Sequence, residues 1–250
     1  MIGRVRCWAA SRGDAGFTLI EMLIAMLVLA ALGSVFITTI LGAQTSARAT
    51  TSEQDLNEEA RLALNRMARE LRQATTLATV INADGPAYSS TATTAVTFTA
   101  DFNGDGCIDG VAPSPTPTPA PVCQPYAAIN PETLTYCWDP SATVRQLYLI
   151  PGALPGGSCQ VTGALPILAG QVTSFKLSYR SNNYLYDANN DGITSWLELD
   201  QFGPPVGNQD NALNQPELAN VDSVGIELVV SAGGSHTQSY ETQVDLRNLS

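Results

Sequence analysis

Between Phe17 and Leu41 nearly every position is apolar, and the one carboxylate, Glu21, stands near the start. No polar face recurs along the run, so it predicts a helix surrounded by apolar material on all sides. At 1.5 Å per residue it is long enough to cross a bilayer core of about 30 Å. After Gly42 polar residues return, but helix breakers do not: "SEQDLNEEARLALNRMARELRQATTLA" holds no Gly or Pro. Within it Leu56, Ala60, Ala63, Met67, Leu71, Ala74 and Ala78 recur at three- and four-residue spacing, as one helix face does. Arg61, Arg66, Arg69 and Arg72 mix with Glu53, Asp55, Glu58, Glu59 and Glu70 off that stripe and read as a solvated face. The pattern predicts one long helix from Phe17 to about Ala78, apolar first and amphipathic afterwards.

The pattern then changes to short runs. "TTAVTFTADF", "TLTYCW", "RQLYLIP", "VTSFKLSYR", "DSVGIELVVSA" and "TQSYETQVDLRNL" are rich in β-branched or aromatic residues and partly alternating, as strands are. Gly-, Pro- and Asn-rich turns separate them. A helix followed by strands argues an α+β fold, with an antiparallel β-sheet laid on the amphipathic half of the helix. The expected division is 17–42 for the membrane-spanning part, 43–80 for the amphipathic half and 81–250 for a globular β-rich part.

Net charge is −11, and the chain has a single lysine, Lys176. So acidic a chain repels phosphate backbones, which excludes nucleic acid as the expected partner. Arg4, Arg6 and Arg12 precede the apolar run, opposed by Asp14 alone. That bias holds the N-terminal side in the cytoplasm and places the rest across the membrane. Of five cysteines, Cys7 stands alone and Cys107, Cys123, Cys137 and Cys159 lie together. Four cysteines in an exported domain suggest two disulfides, with three possible connectivities. Cys107 and Cys123 flank the Pro-rich, polyproline-like "VAPSPTPTPAPV" and would staple it, leaving Cys137 with Cys159; only nearness in sequence favours this pairing.

A charge at membrane depth costs about 2.5–3.5 kcal/mol, so Glu21 needs a reason. "GFTLIEMLIAML" resembles the type IV prepilin motif, with Gly16 as the last leader residue, Phe17 as the first mature one and Glu21 at the fifth mature position. The resemblance implies a leader over 1–16, removed after Gly16 by a membrane prepilin peptidase that also methylates the new amine. It implies that Glu21 pairs with the Phe17 amine of a neighbouring subunit during assembly. "ARLALNRMARELRQA" resembles the helix of minor pilins of the PilW type and of J-type minor pseudopilins, and "VDLRNL" resembles the last strand of the PilW type. The first proline beyond the leader is Pro86, whereas many major pilins have one midway along the helix, which favours a minor subunit. The likeness implies a pilin fold and a structural, non-enzymatic role. The implied partners are other minor and major pilins or pseudopilins, the prepilin peptidase and an inner-membrane assembly platform. The implied location is the bacterial inner membrane, single-pass with the C-terminal domain in the periplasm, and then a pilus or pseudopilus, reaching the cell surface.

Three acidic loops are candidates for calcium. "DANNDGITSWLE" fits the spacing D-x-[DN]-x-[DN]-G-x5-E, with Asp187, Asn189 and Asp191, the Ile193 carbonyl, Ser195 and Glu198 as oxygen donors and Gly192 at the sharp turn. Thr194 replaces the usual aliphatic residue after the seventh position, which puts the flanking helix in doubt more than the donors. A weaker copy, "VGNQDNALNQPE", offers Asn208, Asp210 and Glu217, but Val206 at its first position has no side-chain oxygen. In "DFNGDGCID" the donors would be Asp101, Asn103, Asp105 and Asp109, with Ala112 where the twelfth-position acid belongs. The alternative is a set of Asx- and Gly-rich turns without metal. From Asn182 to Asp222 there are seven acids and no Lys or Arg, which favours a neutralising cation.

Other function classes are weaker. A Ser-His-Asp triad would need His236, which lies in a hairpin-turn sequence, "AGGSHTQ", where a histidine is ordinarily just solvated. The acidic loops and the Pro-rich excursion together would suit an adhesin-like recognition surface at a filament tip.

Overall fold

A single helix, α1, runs from Leu19 to Arg72, 54 residues without a break. Thr18 precedes it, and its hydroxyl accepts a hydrogen bond from the Glu21 amide at 3.3 Å. Glu21 lies in the first turn, where a negative charge complements the helix dipole. The computed structural model describes residues 17–109, 111, 123, 131–156, 158–168, 171–231 and 237–246. The chain divides into two compact units, Met1–Thr51 and Ser52–Ser250, and α1 passes from the first into the second.

In the first unit the large apolar side chains from Phe17 to Leu41 are all exposed. The hydroxyls on this stretch do not look outward for partners. Ser34 donates to the Ala31 carbonyl at 2.8 Å, Thr38 to Val35 at 2.9 Å and Thr39 to Phe36 at 2.8 Å. Polar groups satisfied within the helix are what an apolar solvent demands. By length and composition this helix can cross a membrane.

In the second unit α1 buries Leu56, Ala60, Ala63, Leu64, Met67, Ala68 and Leu71. The expected stripe is therefore the buried face as far as Ala74, and it fails at Ala78. The helix ends at Arg72, and Thr76–Ile81 forms a strand, β1, in which Ala78 is exposed and Leu77 buried. Thr75, Thr76, Thr79, Val80 and Ile81 are β-branched, and the Thr75 amide donates to the Thr99 carbonyl at 2.7 Å, which draws the chain into the sheet.

The strands that follow are β2 (Thr94–Thr99), β3 (Thr133–Trp138), β4 (Leu147–Pro151), β5 (Leu165–Pro166), β6 (Gln171–Ser181), β7 (Thr194–Ser195), β8 (Ser223–Ser231) and β9 (Thr237–Asp245), with a short helix, α2 (Trp196–Phe202), after β7. They form two antiparallel sheets, ordered β1-β2-β3-β4-β5 and β7-β6-β8-β9, rather than the one expected. The fold class is α+β as anticipated. Each strand signal is local, whereas sheet membership depends on pairings between distant segments, so the split left no mark on the pattern.

One core joins the helix stripe to both sheets. Phe98, Tyr136 and Trp138 come from the first, Phe175, Leu177, Tyr179, Ile226 and Leu228 from the second. Two polar ties reinforce it. The Tyr136 hydroxyl donates to Glu70, which Arg66 also holds at 2.8 Å, and the Tyr240 hydroxyl donates to Asn57. Burial, helped by the Glu70 charge, pushes the Tyr136 hydroxyl pKa well up, so it stays a donor. A smaller cluster of Ala95, Cys137, Ile150 and Cys159 surrounds the disulfide Cys137–Cys159. The other disulfide is Cys107–Cys123, so the pairing by nearness is the one found.

Met67, part of the core that joins the helix to both sheets, is fully buried, while Leu62 on the same helix is exposed. Met67→Ala should lower stability by about 2–5 kcal/mol, and Leu62→Ala should change little. Denaturant titration of the detergent-solubilised chain reads both; equal losses would show that the stripe is not the packing surface.

Candidate functional site

Two regions carry the residues singled out from the sequence: the start of α1 and the acidic loops. At the first, Phe17 is exposed and Glu21 follows within the opening turn. Gly16 and the rest of residues 1–16, residues 112–122 of the Pro-rich excursion and His236 lie outside the described residues.

The Asp187 loop leads from a 3-10 turn at Tyr184–Tyr186 into α2. Asp187 accepts from the amides of Asp191 at 3.3 Å and Gly192 at 2.9 Å. Asn189 accepts from the Asp191 amide and Asp191 from the Ile193 amide, both at 2.8 Å. Gly192 has φ +82°, a conformation that glycine adopts without strain. Thr194 and Ser195 form β7 against β6, and Ser195 is the N-cap of α2. The helix in doubt is thus present on the exit side and shortened to a 3-10 turn on the approach. Glu198, three residues past the cap, accepts from Ala188 and Asn189 with one oxygen and from the Ser195 amide and hydroxyl with the other. Every carboxylate points back into its own loop.

The Val206 loop repeats this arrangement with one substitution. Asn208 accepts from the Asp210 amide at 3.1 Å, Asp210 from the Ala212 amide at 2.8 Å, and Glu217 from the Asn208 amide at 2.9 Å. Val206 cannot supply the carboxylate that Asp187 supplies in the first loop. Asp200, reaching in from α2, does so instead. It accepts from the amides of Asp210 at 3.1 Å and Asn211 at 3.0 Å, the two places that Asp191 and Gly192 occupy in the first loop. Asn211, at φ +59°, takes the part of the turn glycine. Asp210 has its carboxyl held below the usual range by hydrogen bonds from Asn214 and the Ala212 amide. The loop can approach α2 because residue 207 is glycine: a Cβ there would overlap the Leu199 and Asp200 carbonyl oxygens. Sequence reading missed Asp200, for it lies outside the loop's spacing.

The Asp101 loop differs most from expectation. Asp101 accepts from the amides of Gly104 at 2.6 Å, Asp105 at 3.2 Å and Gly106 at 2.8 Å. Asn103 accepts from the Asp105 amide, and Asp105 from the Cys107 amide, both at 2.8 Å. Asp109 does not join them. Its carboxylate accepts from the Glu132 amide at 2.9 Å and the Thr133 hydroxyl at 2.5 Å, which ties the loop to the start of β3. Glu132 comes to the cluster in its stead. Among the described residues, Asp101, Asp105 and Glu132 are the group of three carboxylates whose oxygens all lie within 4.8 Å of one another. Glu132 stands far beyond Asp105 in the chain, at no recognisable spacing, and nothing in the loop sequence pointed to it.

Residues 11–37 match the family model of the prokaryotic N-terminal methylation motif. The N-terminus is prepilin-type. That motif, followed by an apolar helix able to cross a membrane, supports a type IV pilin or pseudopilin. No curated protein and no solved structure matches the chain.

Gly207→Ala should push the Val206 loop off α2 and cost about 1–3 kcal/mol. A melting temperature unchanged from the parent would mean that the loop does not rest on α2.

Proposed function

We propose that this protein is a minor type IV pilin of the PilW kind, a structural subunit that primes or tips the filament. The observation that carries the reading is the prepilin-type motif at residues 11–37, together with the apolar, exposed helix that begins at Leu19. Such a helix holds the subunit in the inner membrane until assembly and then fills the filament core beside its neighbours. Cleavage after Gly16 would create a charged amine on Phe17, and Glu21 of one subunit pairs with that amine on the next. A paired charge is tolerable in an apolar interior where a lone one is not. The role is assembly rather than catalysis, with other pilins, the prepilin peptidase and the inner-membrane platform as partners. The J-type minor pseudopilin of a type II secretion system shares the same N-terminal logic and is the second reading; gene neighbours separate the two. An adhesin-like tip surface built from the acidic loops is compatible with either.

Calcium at the Asp187 loop belongs to this proposal. Its donors are all oxygens, from Asp187, Asn189, Asp191, Ser195 and Glu198, with no imidazole or thiolate, a set suited to a hard cation. Bound there, the ion would fix the loop that leads into α2.

Gly16→Trp should block processing, while Glu21→Ala should leave processing largely intact and impair incorporation into filaments. Mass spectrometry of the chain and immunodetection in sheared filaments read the two steps. A Gly16→Trp chain that still begins at Phe17, or normal incorporation of Glu21→Ala, would each count against the assignment. For the loop, calcium at a hundred times its Kd should add about 2.7 kcal/mol to stability. Glu198→Gln should lower the calcium-dependent increment by that amount, the variant being compared with itself at zero and saturating calcium because each Glu198 oxygen also accepts hydrogen bonds in the loop; an increment equal to the parent's would refute calcium at this loop.

A further inference from the structure

We propose that the Asp101 loop and Glu132 together form a calcium site, closed by a residue from outside the loop. Asp101, Asn103, Asp105 and Gly106 stand at the first, third, fifth and sixth positions of the D-x-N-x-D-G spacing, and Gly106 has the left-handed φ, +75°, that the turn requires. The twelfth-position acid is missing from the loop, and Glu132 at the entrance to β3 supplies a carboxylate in its place. An oxygen of each of the three acids lies within 4.8 Å of the others, close enough to share one ion. A second observation is independent of the spacing. Glu132 is only 4 % exposed, and its Oε1 has no hydrogen-bond partner. Its Oε2 accepts from the Asp109 amide at 2.6 Å, which fixes the side chain in place. A buried carboxylate oxygen left unsatisfied beside two further carboxylates is costly unless a cation binds it. The surrounding chain offers no such cation: between Arg72 and Arg145 there are six acids and no Lys, Arg or His. The donors are oxygens only, because Cys107 is in a disulfide, so the ion is a hard divalent one, and the loop spacing selects calcium. Bound there, calcium ties the Asp101 loop to the start of β3.

A second, weaker site is proposed at the Val206 loop on separate observations. Glu217 is fully buried, and its Oε2 has no partner. Asp200, 1 % exposed, reproduces the amide contacts that Asp187 makes in the first loop. Asp200, Asn208, Asp210 and Glu217 are the donors this loop offers, although its three carboxylates do not gather within 4.8 Å of one another as those of the Asp101 loop do. Neither site depends on the filament role: assembly could proceed without them, and they could bind calcium in a protein of another role.

The test uses the full chain in detergent micelles, stripped with a chelator and then saturated with calcium chloride. Bound calcium is counted by mass spectrometry of the metal after dialysis. Glu132→Gln should lose one calcium ion per chain, Asp101→Asn the same one, and the pair together still only one. Glu217→Gln should lose a different ion, so that its loss adds to that of Glu132→Gln. Without calcium, Glu132→Gln should melt above the parent, since an unpartnered buried charge has been removed; with calcium it should melt below. Far-ultraviolet circular dichroism and disulfide mapping confirm folding of each variant. Unchanged calcium content in Glu132→Gln, additive losses from Asp101→Asn and Glu132→Gln, or equal destabilisation with and without calcium would overturn the first site. Unchanged content in Glu217→Gln would overturn the second.

Discussion

The buried stripe of α1 is the surface against which both sheets assemble. Ala60, Ala63 and Ala68 are small, so the strands can come close to the helix axis, and Leu56, Leu64, Met67 and Leu71 fill the gaps beside them. The large rings of Phe98, Tyr136, Trp138, Phe175 and Tyr179 close over this stripe from two separate sheets. At about 25 cal/mol per Å2 of apolar area, burial on this scale outweighs any single polar contact. The ties from Tyr136 to Glu70 and from Tyr240 to Asn57 add direction to a contact that hydrophobic burial alone would leave free to slide.

The same helix is built for two different solvents. Up to Leu41 its side chains are apolar and exposed, and its hydroxyls turn back to their own carbonyls. From Leu56 onward one face is buried in protein and the other carries the charges. Glu21 is the exception in the first part, and the prepilin-type motif gives it a rationale, since a carboxylate there calls for a positive partner.

Three loops solve one local problem in related ways. Each turns sharply around Asp or Asn side chains that accept from amides two to five residues ahead. They differ in where the last acids come from. In the Asp187 loop Glu198 belongs to the loop and also sits in the first turn of α2, so both of its oxygens are used. In the other two, residues from elsewhere fill the gaps, and Glu132 and Glu217 each keep one buried oxygen unpartnered. Electrostatic demand is therefore greatest at the loops whose spacing looked poorest.

The sequence by itself determined the features that depend on neighbours along the chain. These include the apolar run and its motif, the helical stripe from Leu56 to Leu71, the longer strands, the turn chemistry of the acidic loops and the four cysteines of two disulfides, whose pairing nearness favoured without fixing it. Tertiary structure alone decided what depends on distant segments meeting. The helix yields to β1 after Arg72 because Thr75 finds Thr99, 24 residues away. The strands part into two sheets because pairing is chosen across the fold. Asp200 and Glu132 join loops they do not belong to, and Asp109 leaves the one it does, because a carboxylate's surroundings are set by packing rather than by its place in the chain.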